Sequence, residues 1–210
     1  MISLMRDTYV NIPGIGMRKL NAAHANGAGP LLLETVTQNY KVQVDRYVSV
    51  DFNSMIDIID KLGGVELTLS DDEVRVANNY ITEMCNLRKL DPNSYYFIKG
   101  GTKTCSGIQA VAYARIRYVG NADYQRTERQ RTVIEAMITK VQKSGVTTIN
   151  SVVDEVFDDI STNITPKQML SLGSHALSYK MVDNSGFPFE LKTKNMGKRG
   201  DCVIPLDLET

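Results

Sequence analysis

Two hydrophobic periods alternate along the chain. Residues 2–5 (ISLM) form a short apolar run closed by Arg6-Asp7, the pattern of a buried strand. Residues 11–16 (NIPGIG) hold one Pro and two Gly and predict a turn. Residues 19–26 predict a short helix ended by Gly27. Gly29-Pro30 then opens a second helix, because Pro suits the first helical position, and its apolar stripe is Leu32/Leu33, Val36 and Tyr40. Residues 46–50 (RYVSV) alternate like a strand. Apolar residues at 52, 55, 56, 59 and 62 have helical spacing, and Gly63-Gly64 stops that helix. Residues 65–69 alternate again. The first 70 residues thus read β, α, α, β, α, β, a sheet covered by helices.

The second half is more helical. Residues 71–96 are polar and irregular, expected to be partly helical. Ser106 and Gln109 fit a capping box, and the helix behind them turns Ile108, Val111 and Ala112 inward. Residues 126–143 give the strongest helical pattern in the chain, and 147–159 and 165–179 predict two more helices. Thr165-Pro166-Lys167-Gln168 forms a second capping box. From Asp183 the chain is rich in Gly, Pro and Lys, with one strand candidate at 202–206. The expected organisation is one domain over 1–183, with 184–210 a linker or the start of another module. No period of 20–50 residues repeats, which excludes solenoids and propellers.

Composition changes this picture little. Among 210 residues, 24 basic side chains balance 24 acidic ones, so no global charge favours a nucleic acid or a membrane surface. Three Cys, none in a C-x-x-C, exclude the common structural zinc layouts. The first residues lack the pattern of a signal peptide, and no run approaches the ~18 apolar residues of a membrane span. The chain opens in a strand with no lead-in, which suggests a shortened reading frame.

Local charge is more informative. Residues 115–131 hold Arg115, Arg117, Arg126, Arg129 and Arg131 against Asp123 and Glu128. Arg presents a planar fork that binds phosphate oxygens in pairs, which Lys cannot do. Arg115 and Arg117 point the same way in an extended segment. Extending the stripe Val133/Ile134, Met137, Val141 towards the N-terminus lands on Gln130 and Arg126. An inward Arg at a helix N-terminus, beside an Arg pair, describes an anion site. The alternative is that Arg126 pairs with Asp123 or another carboxylate and only ties down a loop. Arg6-Asp7 sits at the carboxyl end of a strand, where ligands bind in open α/β sheets, or is an ordinary ion pair. Lys19 and Asn21 after the Gly-rich turn are a weaker signal. His24 has no metal-ligand partner by spacing, and His175 reads as a packed or surface His. No Ser-His-Asp arrangement, P-loop or G-x-G-x-x-G is present.

Six collinear stretches resemble the LytR–CpsA–Psr phosphotransferases of bacterial cell envelopes. They are M-R-D-T-Y-V-N-I-P-G at 5–14, K-L-N-A-A-H-A-N-G-A-G-P at 19–30, R-Y-V-S-V-D-F at 46–52, D-K-L-G-G-V-E-L at 60–67, G-I-Q-A-V-A-Y-A-R-I-R at 107–117 and D-Y-Q-R-T-E-R-Q-R at 123–131. The resemblance implies an α/β, three-layer fold with a central mixed sheet flanked by helices and an apolar lipid tunnel. It implies a domain on the extracellular face of the bacterial cytoplasmic membrane, usually behind one N-terminal membrane helix. The implied activity is transfer of a glycopolymer (wall teichoic acid, capsular or related polysaccharide) from a polyprenyl-pyrophosphate carrier to peptidoglycan, forming a phosphodiester. Carried over by motif, Arg6, Arg115, Arg117, Arg126 and Gln130 contact the pyrophosphate, with Asp7, Lys19 and Asp123 in ion-pairing and positioning roles. The family's Mg²⁺ ligands lie in acidic segments before R-D-T-Y-V, so no metal ligand can be named in this chain.

That departure leaves a second reading open, a polyprenyl-phosphate binding module without turnover. A DNA-binding regulator is a third, and zero net charge with an inward Arg set argues against it. Without the preceding strand the chain is expected to self-associate and to bind phosphate without Mg²⁺. In an oxidising compartment Cys85 and Cys105 are expected to form a disulfide across the irregular segment, the alternative being two free thiols. Cys202 is expected to stay free.

Overall fold

The computed structural model describes residues 1–117, 122–144, 148, 151–154, 157–175 and 178–206, with the backbone alone described at 122–124 and 158. The chain divides into two units. One comprises Met1–Ser49, Ser161–Thr165 and Met181–Thr210, the other Val50–Ile160 and Pro166–Lys180.

The first unit holds β1 (Ile2–Leu4), β2 (Tyr9–Ile12), β3 (Gly16–Lys19), α1 (Asn21–Tyr40) and β4 (Val48–Ser49). The predicted turn closes an antiparallel β2–β3 hairpin in which Tyr9 faces Lys19 and Ile12 faces Gly16, a residue at φ +86°. The predicted break in the first helix is real: Gly27 and Ala28 leave helical geometry, and Pro30 restarts the helix. A Cβ on Gly29 would lie 2.3 Å from the Tyr47 ring, so only Gly lets that ring approach. Val10, Ile12, Leu20 and Ala23 form the core of this unit, with Leu31, Leu32, Val36 and Tyr40 packed against it.

The second unit holds α2 (Phe52–Lys61), β5 (Val65–Leu69), α3 (Asp71–Arg88), β6 (Gly101–Cys105), α4 (Gly107–Arg115) and α5 (Ala122–Lys143). The α2 helix starts where Asp51 accepts from Ser54 N–H, and Gly63-Gly64 ends it as predicted, both at positive φ. In β5 burial alternates strictly, with Val65, Leu67 and Leu69 inside. The α3 helix fills most of the segment expected to be irregular and only partly helical. A full capping box of Ser70 and Glu73 starts it, and Val74, Ala77, Ile81, Met84 and Cys85 line its buried face. The Ser106–Gln109 capping box opens α4 as predicted. A Cβ on Gly107 would fall 2.1 Å from the Ile56 carbonyl oxygen, so α4 meets the α2 backbone directly. Asp60 accepts from Gly107 N–H at 2.6 Å and ties the same contact.

Three expectations need correction or division. The α/β class holds, but among the described residues the strands pair two by two: β1 with β8 (Ser185–Phe187), β2 with β3, β4 with β7 (Ser161–Thr162), β5 with β6, and β9 (Leu191–Asn195) with β10 (Asp201–Pro205). The expected central mixed sheet is therefore divided into ladders of strands at most five residues long. Residues past Asp183, expected to be a linker or a new module, form β8–β10 within the first unit. There β8 pairs in parallel with β1, and Val203 N–H donates to the Asp7 carbonyl at 2.9 Å. Cys85 and Cys105 are free thiols, not a disulfide, and Cys202 is free as expected. Both fill space in the core of the second unit as small apolar side chains.

Of the helix expected at 147–159, residues 151–154 are helical, Phe157–Asp159 form a 3₁₀ turn, and much of the remainder lies outside the described residues. The helix expected at 165–179 is α6 (Pro166–His175). His175 is exposed and its Nδ1 lies 2.7 Å from the Ser171 carbonyl, while His24 meets the Ser49 hydroxyl at 3.1 Å.

Candidate functional site

In the first unit the site residues sit on backbone pinned from three directions. Thr8 N–H and its hydroxyl both donate to the Met5 carbonyl, Asn21 N–H donates to the Arg6 carbonyl, and Leu20 N–H donates to the Thr8 carbonyl. This places Asp7 between two cations. Its Oδ1 is 3.1 Å from Lys19 Nζ and its Oδ2 is 3.4 Å from Arg6 Nε. Arg6 is the more exposed of the pair, and Asp7 and Lys19 are each about a quarter exposed. The β2–β3 register, with Lys19 opposite Tyr9, delivers Lys19 to Asp7. Sequence reasoning named all three residues, and the structure brings them together.

In the second unit the site residues follow α4. Arg115, at its last turn, donates to Glu83 at 2.9 Å and lies over the rings of Tyr80 and Phe52, at 4.9 and 5.3 Å from their centroids. A guanidinium held on two aromatic faces is pre-organised, because cation–π contact and a charged hydrogen bond fix its plane. Ile116 is fully buried and Arg117 beyond it is exposed. Arg115 still belongs to the helix and is mostly covered by the two rings, so the extended Arg115–Arg117 pair expected from the sequence reduces to one exposed arginine, Arg117.

The inward cation of α5 is Arg129, one turn before the buried Val133, and not Arg126. Arg126 and Gln130 are half-buried, and Ile134, taken as part of the inner stripe, is 39% exposed. Arg129 is only 6% exposed. Its Nε donates to Glu73 Oε1 at 2.8 Å, its Nη2 to Gln125 at 3.3 Å, and its Nη1 to the Ile116 carbonyl at 3.5 Å. Glu73 uses its other oxygen to accept from Ser70 N–H at 2.9 Å. One buried ion pair therefore joins the start of α3, the start of α5 and the residue between Arg115 and Arg117. Sequence reasoning missed it, although counting back four from Val133 reaches Arg129. A cleft of about 220 Å³ opens beside this clamp, lined by Glu73, Tyr113, Gln125, Glu128, Arg129 and Thr132. Burial and then Glu73 push the Tyr113 hydroxyl pKa up, against Arg129 and a hydrogen bond with Thr132. The side chain of Asp123 lies outside the described residues.

Among the described residues no three His, Cys, Asp or Glu side chains group as a metal-binding set. Among the same residues no helix is long and apolar enough to cross a membrane.

Known proteins resemble this arrangement in sequence and in fold. The chain is 31% identical over 194 residues to the polyisoprenyl-teichoic acid–peptidoglycan teichoic acid transferase TagT of Bacillus subtilis, a match covering 90% of this chain and 57% of that protein. It is 33% identical over 183 residues to the transferase TagU of Enterococcus faecalis, covering 86% of this chain and 54% of TagU. The chain thus spans about half the length of the curated relatives it matches. The structure described as TagT bound to LIIa-WTA superposes with a TM-score of 0.76 at 26% identity, over 97% of this chain and 72% of that one. The LytR_cpsA_psr family model matches residues 1–200, nearly the whole chain, and the chain belongs to the LytR_cpsA_psr family.

Proposed function

We propose that this chain transfers a glycopolymer from a polyprenyl-pyrophosphate carrier to peptidoglycan, forming a phosphodiester, on the extracellular face of the bacterial cytoplasmic membrane. The family match and the teichoic acid transferases among its relatives support the reading. The observation that carries it is the arginine segment after α4. Arg115 is stacked and fixed, Ile116 is clamped by a buried Arg129, and Arg117 stands exposed beyond them.

In such a transfer an acceptor hydroxyl attacks the sugar-side phosphorus of the pyrophosphate. A new P–O bond forms, the bridging P–O bond breaks, polyprenyl phosphate leaves with the bridging oxygen, and the hydroxyl proton is released to water. Negative charge gathers on the phosphoryl and bridging oxygens, and guanidinium groups already held in position stabilise it without reorganisation. We assign Arg117 and Arg126 of the second unit to the reacting phosphoryl group, and Arg6 of the first unit to phosphate binding within its own unit. Arg115 and Gln130 hold the carrier side of the pyrophosphate. Asp7 ties Arg6 and Lys19 into one positioned group, and Asp123 shares that positioning role in α5.

Titration with geranylgeranyl pyrophosphate tests the assignment. Arg6→Ala and Arg117→Ala, one from each unit, should each weaken binding about tenfold to a hundredfold, the worth of one charged hydrogen bond at about 1.5–3 kcal/mol. Unchanged affinity in either variant would remove that residue's assignment.

A further inference from the structure

The β9–β10 hairpin carries a charge that the proposed reaction does not use. Between Leu191 and Arg199 stand Lys192, Lys194, Lys198 and Arg199, with no carboxylate among them, in a chain of net charge zero. All four are exposed, and none forms an ion pair among the described residues. Lys192 and Lys194 are alternate residues of β9, so they share a face about 7 Å apart. Lys198 and Arg199 continue the series in the 3₁₀ turn at the hairpin's end. The one acidic residue at that end, Asp201, accepts from Asn195 instead.

The hairpin is joined to the candidate site. Val203 N–H donates to the Asp7 carbonyl at 2.9 Å, and Thr8 bridges Val203 in parallel. Arg199 donates to the Tyr9 hydroxyl and lies over the Tyr9 ring, and Tyr9 faces Lys19, the partner of Asp7. The cations of the hairpin therefore belong to the same unit as Arg6, Asp7 and Lys19, with Arg199 at Tyr9 joining the two groups.

We propose that this hairpin is a track for a polyanion, with Lys192, Lys194, Lys198 and Arg199 holding successive phosphates of a glycopolymer that has a phosphate in each repeat. The proposal rests on the pyrophosphate reading above for the place of the polymer's first phosphates, at Arg6. A group of exposed like charges carried on one hairpin complements a chain of repeated phosphates. A lipid surface fits less well. Phe189 and Leu206 are exposed at the open end, but no large apolar side chain is exposed among the cations from 190 to 205, so nothing there inserts into a bilayer.

The test compares the whole chain with its Lys192→Gln/Lys194→Gln/Lys198→Gln variant, leaving the ring-stacked Arg199 in place. The probes are long-chain inorganic polyphosphate, inorganic pyrophosphate and phosphatidylglycerol vesicles. Polyphosphate affinity should fall about tenfold or more at 0.1 M salt. The slope of log affinity against log salt should shrink by about 2, as three fewer phosphates are neutralised on a flexible strand. Pyrophosphate affinity should stay within about twofold. An unchanged polyphosphate affinity, or an equal loss for pyrophosphate, overturns the track. Vesicle binding lost while polyphosphate binding persists would assign the hairpin to a membrane and also overturn it. If Arg6→Ala leaves pyrophosphate binding intact while the triple variant loses polyphosphate, the Arg6 assignment fails and the track stands.

Discussion

Replacing Arg129 by Met is the sharpest perturbation the structure offers. Met keeps most of the side chain's volume and removes its charge, leaving Glu73 buried at 15% side-chain exposure without its cation. The 2.8 Å bond to Glu73 is charge-assisted and worth about 1.5–3 kcal/mol, and the bonds at 3.3 and 3.5 Å add less. Breaking one side of a buried pair costs about 3–5 kcal/mol, a large share of a domain's total of about 5–15. Glu73→Gln keeps a competent residue at the third helical position but strands Arg129, so its cost should approach the same range. In the double variant Arg129→Met/Glu73→Gln no charge remains buried, and the loss should be well below the sum of the singles. Urea unfolding of all four proteins measures this cycle. The double variant also separates stability from position, because the Arg129 bond to the Ile116 carbonyl is still absent from it. Its affinity for geranylgeranyl pyrophosphate should stay reduced even where the fold is regained. A cost below about 1 kcal/mol for Arg129→Met, or additive single losses, would refute the clamp.

Other outcomes follow from the same geometry. Gly107→Ala should destabilise the second unit by about 1–3 kcal/mol or more, because the new Cβ meets the rigid Ile56 carbonyl at 2.1 Å, and thermal unfolding reads this directly. Burial pushes the Cys105 thiol up to about 11 and raises Cys85 as well, so a thiol reagent at pH 8 should label neither in the folded chain and all three Cys in urea; a linked 85–105 peptide by mass spectrometry without reduction would contradict this. The Ser54 N–H holds the Asp51 carboxyl below its usual value, so its capping contribution is complete above pH ~4 and is lost as pH falls through the lowered value. Asp51→Asn should flatten that acid limb while keeping the cap, and Asp51→Ala should cost about 1 kcal/mol at neutral pH.

What could be read from the sequence depended on whether the signal was local. Gly63-Gly64, the Ser106–Gln109 box and the Gly27–Pro30 break are decided by nearby backbone, and each appears where expected. The α3 helix was legible only as a partly helical stretch, although Ser70 and Glu73 spell its cap. Its inner face uses Ala77, Met84 and Cys85 among Asn and Thr, so the apolar stripe is weak. β6 was missed because Gly-Thr-Lys-Thr-Cys has no apolar alternation, and its place is set by pairing with β5. The arginines were visible as composition, but which one turns inward was not. Burying Arg129 is acceptable only because Glu73, 56 residues away, receives it. The tail was misjudged for a like reason, since the partners of β8 and β10 lie at the other end of the chain.

The parallel pairing of β1 with β8 sets an order on assembly. Ile2 finds its partner only at Ser185, so closing that ladder costs the entropy of a loop of nearly the whole chain. During synthesis β1, which leads into Arg6 and Asp7, therefore waits until β8 is made, while Val50–Ile160 holds its ladder β5–β6 and its core within itself. The second unit can close during synthesis, and the first cannot do so until β10 is made. A chain cut after Lys180 would thus keep the arginines of α4 and α5 on a formed core, and would leave Arg6, Asp7 and Lys19 on a unit without its closing strands.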